Sequence, residues 1–126
     1  MTGGRAVATG RNAALGAYGE EIAARHLVGQ GMVLLDRNWH GESGEIDLVL
    51  RDGRTLVVCE VKTRTSNAFG TPHEAVTREK LRRLQRLAAQ WVHARGVHPD
   101  GIRIDVVAVM RPRRGHATIE HVRGVD

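Results

Sequence analysis

Lysine is nearly absent from this chain. Only Lys62 and Lys80 occur among 19 basic residues, and all the others are arginine. A general bias toward arginine accounts for most of that imbalance. Against it, a retained lysine marks a position that needs a compact ammonium with a movable pKa. Aromatic side chains are also scarce, at 3%, which argues against a single-strand-binding platform of stacked rings. The one cysteine, Cys59, cannot close an intramolecular disulfide. Its place in an apolar run suits a buried free thiol and a reducing compartment, so a cytoplasmic protein is expected. No apolar run approaches the ~20 residues that cross a bilayer, and the N-terminal MTGGRAVATGR holds no apolar signal core. No membrane role is expected. His116 and His121 are loosely spaced and lack partners, so zinc is not expected.

What remains is the content of one globular domain: 126 residues are enough for a real core with little to spare. A formal charge of +5 and a pI near 10.6 suit a polyanionic partner, because basic side chains that neutralise phosphates release counterions. Residues 1–11 are Gly-rich, basic and without period, and are expected to form a flexible arm ahead of a single domain over 12–126. From Asn12, a plausible N-cap, Leu15, Tyr18, Ile22 and Leu27 recur at helical spacing up to Gly29 or Gly31. Gly16 and Gly19 each cost this helix about 1 kcal/mol relative to alanine, a cost best understood if that side lies close against another backbone. Strands are expected at Met32–Trp39, Gly44–Arg51, Thr55–Val61, Ile102–Met110 and, at an edge, Ala117–Val122. The first two are separated by a break at Gly41–Gly44, and the second and third by a tight turn at Asp52-Gly53. Arg64–His73, with Phe69 and Pro72, reads as a loop. A second helix starts near Glu74 or Thr77 and ends at Gly96, with Leu81, Leu84, Leu87, Ala88, Trp91 and Val92 on its apolar stripe and arginines opposite. The order α-β-β-β-α-β-β predicts an α/β domain, a mixed sheet with helices packed on its faces.

Three charged residues stand where buried strands should carry none: Asp47, Glu60 and Lys62. With a two-residue turn at Asp52-Gly53, Glu45 faces Glu60 and Asp47 faces Val58, so Glu45, Asp47, Glu60 and Lys62 all emerge on one side. Asp47 and Glu60 are then diagonal neighbours, roughly 7–8 Å apart at the backbone, close enough to converge on one cation. Hard oxygen donors without clustered Cys or His favour Mg²⁺ or Mn²⁺. Such an ion polarises a phosphate oxygen and lowers the pKa of a bound water, and Lys62 is placed to stabilise charge that develops on the phosphate. A mutual Lys62–Glu60 or Lys62–Asp47 pair, with no function beyond the sheet, is the structural alternative. Glu20 and Glu21, mid-helix, read on their own as solvated carboxylates. Arg64, Lys80 and Arg83 are candidates for phosphate contacts, although a solvated basic helix face has the same composition. Asp105 lies inside an apolar strand and receives no role.

Asp47 followed by Glu60-Val61-Lys62 on the next strand, with Glu20 on a preceding helix, resembles the PD-(D/E)xK motif of restriction-endonuclease-like nucleases. More closely, GEIDLV, CEVKTR and FGTPHEAVTREKLRRL, joined over Gly16 to about Val109, are similar to the YraN family, whose members resemble archaeal Holliday junction resolvases. The resemblance implies a restriction-endonuclease-like fold, a divalent metal held by Asp47, Glu60 and Glu20, and catalytic positions at Glu20, Asp47, Glu60 and Lys62. It implies DNA as substrate, including branched or junction forms in repair or recombination, and a homodimer, since a symmetric junction needs two cuts. The wider motif places proline where this chain has Ile46; that side chain is expected on the other face, away from the chemistry. The rival reading is a non-catalytic nucleic-acid-binding or adaptor module with a structural charge cluster, and a weaker one is a protein-interaction domain.

Overall fold

The computed structural model describes residues 10–65 and 76–126, with side chains from 13 onward. Helix α1 (Gly10–Gly29) is followed by β1 (Val33–Gly41), β2 (Gly44–Asp52), β3 (Thr55–Arg64), α2 (Arg78–Arg95), β4 (Gly101–Met110) and β5 (Thr118–Val122). This is the expected order, α-β-β-β-α-β-β. The strands form one five-stranded sheet in the order β1-β2-β3-β4-β5. Only the β3–β4 pair is parallel, and α2 makes the crossover that a parallel pair requires. The sheet is therefore mixed. Most of the expected arm, and Phe69 and Pro72 with their loop, lie outside the described residues; α1 begins at Gly10 rather than at Asn12.

Local chemistry sets the boundaries. Thr77 caps α2 by accepting from the Lys80 N–H at 3.1 Å, and Gly96 ends it in the left-handed conformation at φ 63°. The β2–β3 turn falls at Gly53-Arg54, one residue later than expected, closed by the pair Asp52↔Thr55. Gly53 has φ 61° and Arg54 does not share its sign, the pattern of a hairpin turn that needs glycine only at its first central position. Moving the turn by one residue moves the register by two, so Val49 faces Val58 instead of Leu56, and an even shift by itself moves no residue to the other side of the sheet.

Alternation along β3 feeds two cores. Val57 and Cys59 pack with Leu48, Leu50, Val107 and Val109 under Ala23, Ala24 and Leu27 of α1. Leu56 and Val58 pack with Ile46, Val49 and Ile104 under Leu84, Leu87, Ala88 and Trp91 of α2. Full burial of each such large side chain contributes about 1.5–3 kcal/mol. Trp91 is thus core, as its stripe suggested, and Trp39 leans on the same cluster. Ile46 departs from expectation: it joins the α2 side, although Leu48 and Leu50 join the α1 side. Across from this slip, between the pairs Arg37↔Leu48 and Trp39↔Ile46, lies Asn38 with φ 48°. A left-handed residue within a strand breaks the two-residue repeat.

The two α1 glycines separate. A Cβ on Gly19 would stand 1.7 Å from Thr63 Oγ1 and 2.8 Å from Thr63 Cβ, whereas one on Gly16 meets nothing within 4 Å. The close approach inferred from both glycines belongs to Gly19 alone, and the neighbour is the short, stiff Thr63 side chain. Gly16→Ala should raise stability by about 0.5–1 kcal/mol through helix propensity. Gly19→Ala should lower it by about 1–3 kcal/mol through overpacking. Urea denaturation of both variants checks the opposite signs. Among the described residues no helix is long and apolar enough to cross a membrane.

Candidate functional site

Regular β2–β3 pairing ends at Leu48↔Cys59, and the charged residues gather just beyond it. Here the Val61 N–H donates to Asp47 Oδ2 at 2.8 Å, so a carboxylate of β2 takes a backbone donor of β3. Asp47 is mostly enclosed. Burial, with the negative charges of Glu60, Glu20 and Glu45 around it, pushes its pKa from 3.8 up to about 7, against the opposing pull of the Val61 N–H.

Glu60 is buried at 7% exposure, and its charge is met by both lysines of the chain. Lys62 Nζ lies 3.2 Å and Lys80 Nζ 2.7 Å from the same oxygen, Oε2. Lys62 is two residues along the same strand, while Lys80 reaches down from the first turn of α2. Burial weakens both ammonium ions. The contact between the two amines, with the pull of Glu60, leaves Lys62 with a raised pKa; burial and that same contact leave Lys80 with a lowered one. The scarcity of lysine thus has a structural counterpart: both copies are spent on one carboxylate.

On the α1 side, the Asn38 amide faces Glu20 Oε1 at 3.1 Å and Glu45 Oε2 at 2.9 Å, and its nitrogen is assigned to that side because only then do both contacts become hydrogen bonds, donated by Asn38. Close contact of Gly19 with Thr63 brings the next residue, Glu20, to the same end of the sheet. Glu21, by contrast, is at the surface, paired with Arg25 and Arg37. The expected single face is therefore replaced by an open end. Glu60 and Lys62 meet α2 through Lys80, Glu45 meets α1 through Asn38 and Glu20, and Asp47 lies between them.

Beside this end, Thr77, Glu79, Lys80, Arg83 and Arg86 line a cleft of about 380 Å³. Arg64 closes β3 two residues beyond Lys62, on the side that alternation gives to Glu60 and Lys62. Larger clefts, of about 650 and 550 Å³, lie along Trp39 and Gln90 and along Leu35, Trp91 and Pro99; neither gathers carboxylates. The donors at the open end fit a hard divalent cation in kind. They are carboxylate oxygens, and the burial and mutual repulsion that raise the Asp47 pKa are both what a cation there would relieve. Among the described residues no three acidic, histidine or cysteine side chains already surround one point, and the positive charge at Glu60 is that of the two lysines.

Sequence reasoning missed Asn38 and the Lys80–Glu60 pair; rarity of lysine was the available signal for the second, and nothing marked the first. His121 and Asp105 proved to belong elsewhere. Asp105 is fully buried and accepts from Arg103 (2.9 and 3.1 Å), from the Gly124 N–H (3.0 Å) and from His121 (2.8 Å). It ties β5 and the C-terminal residues to β4.

The raised Asp47 pKa has a measurable consequence. Between pH 3.8 and about 7 the folded protein binds a proton that the unfolded chain releases, so this group makes stability fall as pH rises through that window. The shift is worth at most roughly 4 kcal/mol. Asp47→Asn keeps an acceptor for Val61 and removes the charge. In EDTA it should stabilise the protein by about 1–2 kcal/mol near pH 8 and by almost nothing near pH 4, a difference that thermal melts at the two pH values detect.

Comparison with known proteins covers this whole site. The profile of the family described as "Uncharacterised protein family UPF0102" matches residues 19–109, which include every candidate residue. A UPF0102 protein of Nocardioides sp. is 69% identical over 112 residues, covering 89% of this chain and 90% of its own. One from Beutenbergia cavernae is 58% identical, covering 89% and 95%, and one from Streptomyces coelicolor is 55% identical, covering 89% and 88%.

Proposed function

The chain belongs to the uncharacterised protein family UPF0102, the YraN family, and from that membership and the open end of β2–β3 we propose that it is a divalent-metal-dependent endonuclease acting on DNA. The observation that carries this reading is Asp47. A carboxylate with its pKa raised to about 7 among three other carboxylates, beside two lysines and a basic cleft, supports the reading of a site for a cation and a phosphate. Asp47, Glu60 and Glu20 would hold Mg²⁺ or Mn²⁺, which would supply charge neutralisation at the phosphate and help activate water.

The chain's own groups do the rest. The Val61 N–H fixes the Asp47 carboxylate in one orientation. Asn38 holds Glu20 and Glu45 together from the opposite side. Lys62, half-buried beside Glu60, presents a compact positive charge to a phosphate whose negative charge grows in the transition state. Arg83 and Arg86, with Arg64, seat the neighbouring phosphates. Branched and junction substrates are the first to test, in keeping with the likeness to resolvases, and a homodimer is the assembly that two symmetric cuts require.

A second reading has its own observation: Glu60 is already neutralised by Lys62 and Lys80, as a purely structural cluster would be. It predicts salt-dependent DNA binding without cleavage. Incubating purified protein with duplex, single-stranded, flapped and four-way-junction DNA, with Mn²⁺ or with EDTA, separates the two. Mn²⁺-dependent cleavage supports the nuclease, and intact DNA on every substrate supports the binding module.

A further inference from the structure

We propose that Lys80 is a competitor built into the metal site: together with Lys62 it supplies the positive charge at Glu60 when no metal is bound, and a divalent cation gains Glu60 by displacing it. This inference rests on the reading of Asp47, Glu60 and Glu20 as cation ligands.

Geometry distinguishes the two lysines. Both ammonium groups reach Glu60 Oε2, at 3.2 and 2.7 Å, and together they place two positive charges there, the charge of one divalent ion. A cation entering against both meets like charges at close range in a partly buried site, where Coulomb terms are larger than in water. The backbone of Lys62 is held on the same strand two residues from Glu60. Lys80 comes from another element, α2, and it also lines the cleft with Thr77, Glu79, Arg83 and Arg86, a set that is basic on balance. It therefore has somewhere else to go, and that place is suited to phosphate.

Residue choice points the same way. The Lys and Arg residues of α2 are Arg78, Lys80, Arg82, Arg83, Arg86 and Arg95, and the one lysine among them is the residue that touches Glu60. A guanidinium there would clamp the carboxylate through a planar, two-point contact. An ammonium holds it as a point charge and releases it more readily. Lys80 is on this view a positioning residue that acts through Glu60, setting the affinity of the site for metal rather than acting on the scissile phosphate.

The test is calorimetric titration of MnCl₂, at fixed ionic strength and without DNA, into the full chain and its Lys80→Met, Lys80→Gln, Lys80→Arg and Glu60→Ala variants, each first checked for a cooperative thermal melt. Arg86→Met, which removes one positive charge from the same cleft, controls for net charge. Lys80→Met and Lys80→Gln should each bind Mn²⁺ about tenfold more tightly than the parent. Lys80→Arg and Arg86→Met should show no such gain, and Glu60→Ala should lose binding. A role in structure alone predicts the reverse, weaker binding without Lys80. If Lys80→Met and Lys80→Gln match or fall below the parent while Glu60→Ala loses Mn²⁺, the competition is refuted and the metal site stands. If parent and Lys80 variants alike fail to take up Mn²⁺, the cation site falls and the inference with it.

Discussion

Asp47→Ala and Lys62→Ala should each cut Mn²⁺-dependent DNA cleavage by about a thousandfold or more, with the fold preserved. An interaction that neutralises charge in a phosphoryl transition state contributes several kcal/mol, and about 1.4 kcal/mol is a factor of ten in rate. Removing Asp47 takes away a carboxylate proposed to hold the cation. Its loss also strips an acceptor from the Val61 N–H, but it relieves the repulsion among Glu60, Glu20 and Glu45, so the two stability effects oppose each other. Removing Lys62 leaves Glu60 paired with Lys80 at 2.7 Å, so the buried carboxylate is not orphaned. Single-turnover cleavage at saturating Mn²⁺, alongside circular-dichroism melts, measures both parts. Rates within tenfold of the parent in either variant would rule out the assigned roles.

Loss of Asp105 should be the largest effect on stability. Its two oxygens accept from Arg103, His121 and the Gly124 N–H, and Arg103 continues to Asp52 at 3.1 Å. Asp105→Ala leaves Arg103 and His121 facing an empty acceptor position, with His121 itself only 7% exposed at the side chain. Breaking a buried charge network from one side costs about 3–5 kcal/mol, a large fraction of what a domain of this size has. The urea midpoint near neutral pH should drop accordingly. Burial alone would raise the Asp105 pKa, but the bonds from Arg103, Gly124 and His121 outweigh it and hold the pKa below 3.8. A lowered carboxylate contributes stability that is present above the unfolded pKa and lost as pH falls through the folded one. The gap between parent and Asp105→Ala should therefore be widest above about pH 4 and should narrow in stronger acid.

These two carboxylates, Asp47 and Asp105, show what could be read from residues alone. Both are charges in apolar strands, and spacing distinguished them only in part. Asp47 stood out because Glu60 and Lys62 recur at matching positions across a hairpin whose turn was visible as Asp52-Gly53. An error of one residue in that turn did no harm, since it shifted register by an even number. Asp105 has partners at 103, 121 and 124, and no local pattern announces that β5 and the C-terminal residues fold back to cover it. The element order followed from apolar periodicity and glycine, because those are local signals. The positive φ of Asn38, by contrast, occurs where β1 and β2 meet, across from the point at which alternation in β2 slips and Ile46 joins the α2 side. Lys80 is an intermediate case: its rarity was legible, but its contact with Glu60 depends on how α2 crosses the sheet.

The central claim is that Asp47 and Glu60 share a divalent cation. A crystal of the protein soaked in MnCl₂, with anomalous data collected at the manganese edge, tests it directly. A single strong anomalous peak in contact with the carboxylates of Asp47 and Glu60, with Glu20 turned toward it and Lys80 moved off Oε2, is the predicted result. Fully occupied Lys62–Glu60–Lys80 pairing with no anomalous density between Asp47 and Glu60 would contradict the account.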